Sequence, residues 1–166
     1  MSAEDFEPHD GGCDCGQLRY RITRPPFIIH CCHCSRCQTQ TGSAFVINAL
    51  VDAMCVETVS GETKEIISET PSGEGQIIVR CPDCKVAVWS HYFMGGIRRG
   101  ICFVRVGTLD NPNRHPPDVH IFTQTKQDWV VFPEGAHVEE IFYDYETTWT
   151  KEDYAWRMEK LAALNG

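Results

Sequence analysis

The sequence predicts a small, mainly β fold of antiparallel sheets with short loops and a C-terminal amphipathic helix. Short apolar or alternating runs recur along the chain and are typical of strands, among them QLRYRIT, FIIHCCHC, AFVINALV, QIIVR, VAVWSHYF, ICFVRVG and DVHIF. Turn-forming stretches such as TPSGEG and LDNPNRHPPD separate these runs, and no unit is repeated. At least six strands are therefore expected.

The C-terminus has a helical pattern. Thr150 is a suitable N-cap with Asp153 three residues on, and Tyr154, Met158 and Leu161 follow at helical spacing. We expect this helix to pack on the sheet, and the alternative is a contact in a homo-oligomer or with a partner protein.

Length and charge limit the classes of function. A chain of 166 residues with 42% hydrophobic content is expected to form one domain with one core. The net charge of -8, without a dense block of Lys and Arg, argues against nucleic acid and anionic lipid as partners. The N-terminus is acidic rather than basic and apolar, and long apolar runs are missing, so we expect a cytoplasmic protein.

The ten cysteines indicate metal binding, because cytosolic thiols are kept reduced and close-set cysteines there more often hold a metal than form disulfides. Cys13 and Cys15 form a C-x-C pair, and Cys81 and Cys84 form a C-x-x-C pair with Pro and Asp inside it. Two such pairs complete the tetrahedron of a closed structural zinc site. A redox pair or simple buried thiols are the alternatives.

A second group of cysteines lies in the stretch HCCHCSRC. In a strand, alternate side chains share a face, so Cys32 and Cys34 are expected on one face and Cys31 and His33 on the other. Cys37 follows a short turn and can return to the face of Cys32. Three thiolate ligands leave a tetrahedral zinc with an open position, which is typical of catalytic sites. The alternative is a second closed site, completed by Cys31, His33 or another cysteine.

Other reactive residues have simpler explanations. Cys31, Cys55 and Cys102 are expected to be packed thiols. His33 and His120 are candidates for proton transfer, but a histidine near an apolar run is more often a packed, hydrogen-bonded residue.

Two further features are candidates for parts of a substrate pocket. Arg98 and Arg99 can hold a carboxylate, although an exposed basic turn is the simpler interpretation. Phe122 and Trp129 can line a pocket, although aromatic residues more often belong to the core.

The segments GGCDCGQLRYRIT, HCCHCSRCQTQTGSAF, the C-x-x-C pair, VRVGTLDNP and DVHIFTQTKQDW occur in an order that resembles the glutathione-dependent formaldehyde-activating enzyme family, which also includes centromere protein V. The likeness runs from about Gly11 to Trp129. We expect a zinc-binding β domain of this type over residues 11–149, with a disordered or loosely attached segment 1–10 before it and the packed helix 150–166 after it. The resemblance itself implies a small, mainly β fold. It also implies two zinc ions per chain, a structural one at Cys13, Cys15, Cys81 and Cys84 and a catalytic one at Cys32, Cys34 and Cys37.

The expected activity is that of a zinc-dependent carbon–sulfur lyase. Three thiolates reduce the charge of a zinc ion and so acidify a bound water less than three histidines do, while a soft ligand shell suits an incoming thiol. The resemblance implies a small thiol such as glutathione and a small aldehyde such as formaldehyde as substrates. Two alternatives remain open at this point, namely a non-catalytic zinc-binding interaction module and a thiol redox sensor.

Overall fold

The computed structural model describes residues 6–93 and 95–165 and confirms a mainly β protein with a C-terminal helix. Residues 1–5 of the predicted N-terminal segment, Met94 and the terminal Gly166 lie outside these ranges. The strands are β1 (His9–Gly12), β2 (Arg19–Ile22), β3 (Ile28–Cys32), β4 (Val46–Asp52), β5 (Val56–Ser60), β6 (Lys64–Ser68), β7 (Gln76–Arg80), β8 (Ala87–Tyr92), β9 (Ile101–Arg105) and β10 (Val119–Ile121). The helices are α1 (Ser35–Thr41), α2 (Tyr145–Thr148) and α3 (Lys151–Asn165).

A seven-stranded sheet forms the centre of the molecule, in the order β10-β3-β4-β9-β8-β7-β6. Its neighbouring strands are antiparallel except for β10, which pairs in parallel with β3 and sets Ile121 beside Cys32. The sheet is therefore mixed rather than purely antiparallel. A second, three-stranded sheet has the order β1-β2-β5 and is antiparallel throughout.

Opposite faces of the large sheet contribute to two hydrophobic cores. Alternate residues of β4 show the division, because Ala49 and Val51 pack with the three-stranded sheet while Leu50 packs with the C-terminal segment. Tyr20 from β2 is fully buried in the first core, and Trp149 from the C-terminal segment is buried in the second. The molecule thus has three layers, with the large sheet in the middle.

The C-terminal helix begins with the predicted cap. The backbone N–H of Asp153 donates to the Thr150 hydroxyl at 3.1 Å, which satisfies one of the free amides of the first turn. The predicted apolar face is only partly correct, because Met158 is 47% exposed. The neighbouring Arg157 is buried instead, with its guanidinium 4.0 Å from the centroid of the Tyr145 ring, while Tyr154 and Leu161 pack against the C-terminal core as expected.

Three strands have no counterpart among the runs quoted above, namely β1, β5 and β6. Strand β1 begins at His9, which pairs with Ile22, so the β structure starts two residues before the predicted domain boundary at residue 11. Trp129 was expected in the core or at a pocket, but it is 71% exposed. Within the described part of the chain, no helix combines the length and the apolar character needed to span a membrane.

Candidate metal centres

Four cysteines from two turns that are distant in sequence come together in the structure. Cys13 and Cys15 lie in the turn after β1, and Cys81 and Cys84 lie in the turn after β7, so the group joins the two sheets. The four Sγ atoms lie within 4.8 Å of one another.

Two sulfur–sulfur distances in this four-cysteine cluster are close to those in a tetrahedral zinc site. The Sγ of Cys15 lies 3.5 Å from that of Cys13 and 3.7 Å from that of Cys81. Zinc–sulfur bonds of about 2.3 Å in a tetrahedron require sulfur atoms about 3.8 Å apart. Hydrogen bonds from backbone amides, first from Val86, lower the pKa of Cys84 to about 6, and a low pKa favours the thiolate that a metal needs.

The second group, Cys32, Cys34 and Cys37, lies on the other face of the large sheet, in contact with the C-terminal core. Cys32 is the last residue of β3, and Cys34 is the N-cap of α1, whose Sγ accepts from the backbone N–H of Cys37 at 3.3 Å. The expected turn after Cys34 is thus the first turn of a helix, which carries Cys37 back toward Cys32. The three Sγ atoms lie within 4.8 Å of one another.

Without a bound metal, close contact between the three thiols shifts their pKa values in different directions. Hydrogen bonds from the thiols of Cys32 and then Cys37 lower the pKa of Cys34 to about 2. The same contact with Cys34 raises the pKa of Cys32. A hydrogen bond with Cys32 lowers the pKa of Cys37, but the contact with Cys34 and the burial of the thiol outweigh this effect and raise the pKa to about 12. Cys34 is therefore the first of the three to ionise.

A set of buried polar residues accompanies this three-cysteine cluster and was missed from the sequence. His30 of β3, Asn48 of β4 and Arg105 of β9 are cross-strand partners in one row of the sheet, and His30 lies two residues before Cys32, hence on the same face. All three side chains are buried. The signal was present, since ICFVRVG places an arginine inside an otherwise apolar strand.

Arg105 is linked to the cysteines by charge. Its Nη1 donates to Oδ1 of Asn48 at 2.7 Å. Burial lowers the pKa of Arg105, while the charges of Cys37, Cys32 and Cys34 oppose that shift. An arginine remains protonated near neutral pH, so the row supplies a buried positive charge beside the thiols.

Cys31, His33 and His120 form a third group, separate from the three-cysteine cluster, with one ligand atom from each residue within 4.8 Å of the others. Nε2 of His33 lies 3.0 Å from Nδ1 of His120, so the two rings share a hydrogen bond, while the buried Nδ1 of His33 has no hydrogen-bond partner. Cys31 is buried, as expected for a packed thiol.

The remaining candidates have other surroundings. Arg99 forms a bidentate ion pair with Glu65, and Arg98 is exposed. Cys102 is buried, whereas Cys55 is only half-buried. Phe122 is half-buried and packs with the C-terminal core.

The donor sets of the two cysteine clusters fit zinc. Four thiols suit a closed site, and three suit a site with a free coordination position. Among the described residues, the groups of Cys, His, Asp and Glu that can hold a metal give the three-cysteine cluster no fourth donor. Both clusters can therefore hold a metal ion, and only one of them is complete.

Comparison with known proteins supports one family. The sequence model of the family described as glutathione-dependent formaldehyde-activating enzyme matches residues 8–125. A protein of Halomonas elongata whose name carries the same description is 30% identical over 129 residues, which cover 73% of this chain and 78% of that protein. A crystal structure of a Rhodobacter sphaeroides protein is 16% identical with a TM-score of 0.44, covering 61% of this chain and 87% of that one, and this likeness supports no further argument.

Proposed function

Because the chain belongs to the glutathione-dependent formaldehyde-activating enzyme family, we propose that it is a zinc-dependent carbon–sulfur lyase. Its substrates are thiol–aldehyde adducts of the S-(hydroxymethyl)glutathione type. In the forming direction, the sulfur of a thiol bonds to the aldehyde carbon, the carbonyl π electrons move to oxygen, and the thiol proton ends on that oxygen. The reverse reaction breaks the carbon–sulfur bond and returns both molecules.

One observation carries this proposal, which is the incomplete donor set of Cys32, Cys34 and Cys37. A structural zinc site normally has four protein ligands, and a site with three is open to substrate. A zinc ion held by these three thiolates would supply a Lewis acid for the aldehyde oxygen. The cluster at Cys13, Cys15, Cys81 and Cys84 is proposed to hold a second, structural zinc ion.

The surroundings of the three-cysteine cluster suit chemistry between a thiol and a small carbonyl. The C-terminal segment covers this face of the sheet with Tyr143 and Trp149, which are buried and limit the access of water. The Tyr143 hydroxyl and the ring of His30 form a hydrogen-bonded pair, and His30 lies two residues before Cys32 in β3. Glutathione, formaldehyde and a cytoplasmic location are parts of this proposal.

The first experiment is the zinc content per chain of protein purified under reducing conditions and dialysed without chelator. The proposal requires about two ions per chain. Zinc-loaded protein should then speed the exchange between ¹³C-formaldehyde and its glutathione adduct, measured by NMR exchange spectroscopy against a protein-free sample and a sample treated with chelator.

Either of two results would overturn the lyase proposal. Exchange no faster than in the protein-free sample would favour a non-catalytic zinc-binding module. About one zinc ion per chain, with reversible disulfide formation in HCCHCSRC under mild oxidant, would favour the thiol redox sensor.

A further inference from the structure

Arg105 is a buried arginine with no acidic partner. It lies in the middle of the large sheet at the end of β9 and is 9% exposed. Its Nη1 donates to the neutral Asn48, and its buried Nε has no hydrogen-bond partner. Over residues 6–93 and 95–165, no carboxylate lies within ion-pair distance of this guanidinium. A buried charge in such a position requires a compensating charge.

Other arginines of the chain differ from Arg105 in their partners, and the buried Arg157 lies against the Tyr145 ring and the Gly95 carbonyl. Carboxylate partners lie within 3.3 Å of five of them, Arg19, Arg21, Arg24, Arg99 and Arg114. Arg105 lies in one row of the sheet with Asn48 and His30, and Cys32 lies two residues after His30 on the same face, so the guanidinium and the three-cysteine cluster share one face of the sheet. When Cys32, Cys34 and Cys37 hold a divalent ion as thiolates, they supply the compensating negative charge.

The charge of Arg105 changes the net charge of a metal-bound three-cysteine cluster. Three thiolates around a divalent ion carry one net negative charge, and the guanidinium brings the total to zero. An incoming thiolate then gives a buried site with one negative charge. Without Arg105 the same step would give two, which is far less favourable in a medium of low dielectric constant.

We propose that Arg105 is the anion-binding residue of the three-cysteine site, which allows the site to take its thiol substrate as the thiolate. Asn48 is a positioning residue, since its side-chain oxygen accepts from Nη1 and leaves the full positive charge on Arg105. This inference rests on the proposed metal at Cys32, Cys34 and Cys37. To the proposed function it adds that the thiol substrate binds as the thiolate and that Arg105 selects this form.

The test uses thiol binding, which does not depend on catalysis. Protein reconstituted with Co²⁺ is titrated with glutathione and with 2-mercaptoethanol, and the new sulfur-to-cobalt absorption gives the dissociation constant. Only the open site can add a sulfur ligand, because the four-cysteine cluster is closed. We expect Arg105→Gln to weaken binding of both thiols at least about tenfold, and Arg105→Lys to weaken it less because the charge is kept.

Two further variants separate charge from packing. Asn48→Asp leaves Arg105 in place but gives it a carboxylate partner, so it should weaken thiol binding about as much as Arg105→Gln. Arg157→Gln removes another buried guanidinium, which bonds to the Gly95 carbonyl, and should leave thiol affinity unchanged. Retention of one metal ion by the four-cysteine cluster, with a native circular dichroism spectrum, shows that a variant is folded.

The outcomes are distinct. Unchanged thiol affinity in Arg105→Gln and Asn48→Asp overturns this inference and leaves the proposed lyase function standing. A wild-type protein that binds cobalt only at the four-cysteine cluster overturns both. Loss of thiol affinity in these two variants supports the anion-binding role. If the wild-type protein also lacks formaldehyde exchange activity, the lyase function alone is overturned.

Discussion

Nε2 of His30 and the hydroxyl oxygen of Tyr143 lie 2.5 Å apart, across 113 residues of sequence. Trp149 Nε1 donates to the same hydroxyl at 3.0 Å. The Tyr143 O–H can then donate to Nε2 of His30, in the tautomer of the neutral ring that accepts there. This contact ties the C-terminal segment to the strand that ends at Cys32.

Replacing Tyr143 by Phe should therefore destabilise the fold. The change leaves the buried His30 without its donor and Trp149 without its acceptor, and each loss costs on the order of 1 kcal/mol or more. We expect the free energy of unfolding, measured by urea denaturation of zinc-loaded protein, to fall by about 2 kcal/mol. Tyr92→Phe, at a half-exposed tyrosine of β8, is the matched control, and an equal loss there would contradict the prediction.

His30 should also make the protein sensitive to acid. Burial lowers the pKa of His30 from 6.5 to about 3, so below pH 6.5 the unfolded chain binds a proton that the native protein does not. Stability is thus lost as the pH falls from about 6.5 toward 3. Between pH 7 and pH 5 this amounts to about 2 kcal/mol for one group.

The measurement compares wild-type protein with His30→Gln at both pH values. The variant should lose about 2 kcal/mol less than wild type on going to pH 5, and metal release cancels in the comparison because both proteins share it. An identical loss in the two proteins would show that His30 is not the group concerned.

The variant Cys34→Ser should separate activity from stability. Serine is a good N-cap, so α1 keeps its capping interaction while the cluster loses one thiolate. We expect the zinc content to fall from two to one ion per chain and the exchange activity to disappear, with a melting temperature within a few degrees of wild type. An equal collapse of stability would point to a structural site instead.

Cys84→Ser should have the opposite effect. Cys84 belongs to the cluster that joins the turns after β1 and β7, and binding energy at a structural zinc site is folding energy. We expect a severe loss of stability, measured by thermal denaturation, with a zinc content of one ion per chain or less. A stable variant that retains two zinc ions would contradict the assignment of Cys84.

Gly61 provides a test of the backbone beside this cluster. It has a φ of +79°, and a Cβ there would lie 2.1 Å from the backbone oxygen of Gln17. Gly73 has the same φ with open space around it. Gly73→Ala should cost about 1 kcal/mol through strain alone, and Gly61→Ala considerably more, in urea denaturation. Equal costs would show that the approach to Gln17 is not close in solution.

The sequence was sufficient for the features that depend on local spacing. Alternation in β3 placed Cys32 and Cys31 on different faces, and the two cysteine pairs came together as their spacing predicted. Strands β5 and β6 were missed because most of their residues are exposed and lack an apolar pattern. The roles of His30 and Arg105 could not be predicted, because each depends on partners that only the sheet register brings close.

The two cysteine clusters differ in how far apart their members lie along the chain. Cys32, Cys34 and Cys37 fall within one short segment, whereas Cys15 and Cys81 are 66 residues apart. During synthesis, the three-cysteine segment therefore leaves the ribosome with its complete set of donors while half of the other cluster is still missing. An unfolded chain can capture a metal at such a local group, and contacts between distant residues form later. The three-cysteine segment can accordingly meet the metals of the cell with all of its donors present, before the fold that surrounds it exists.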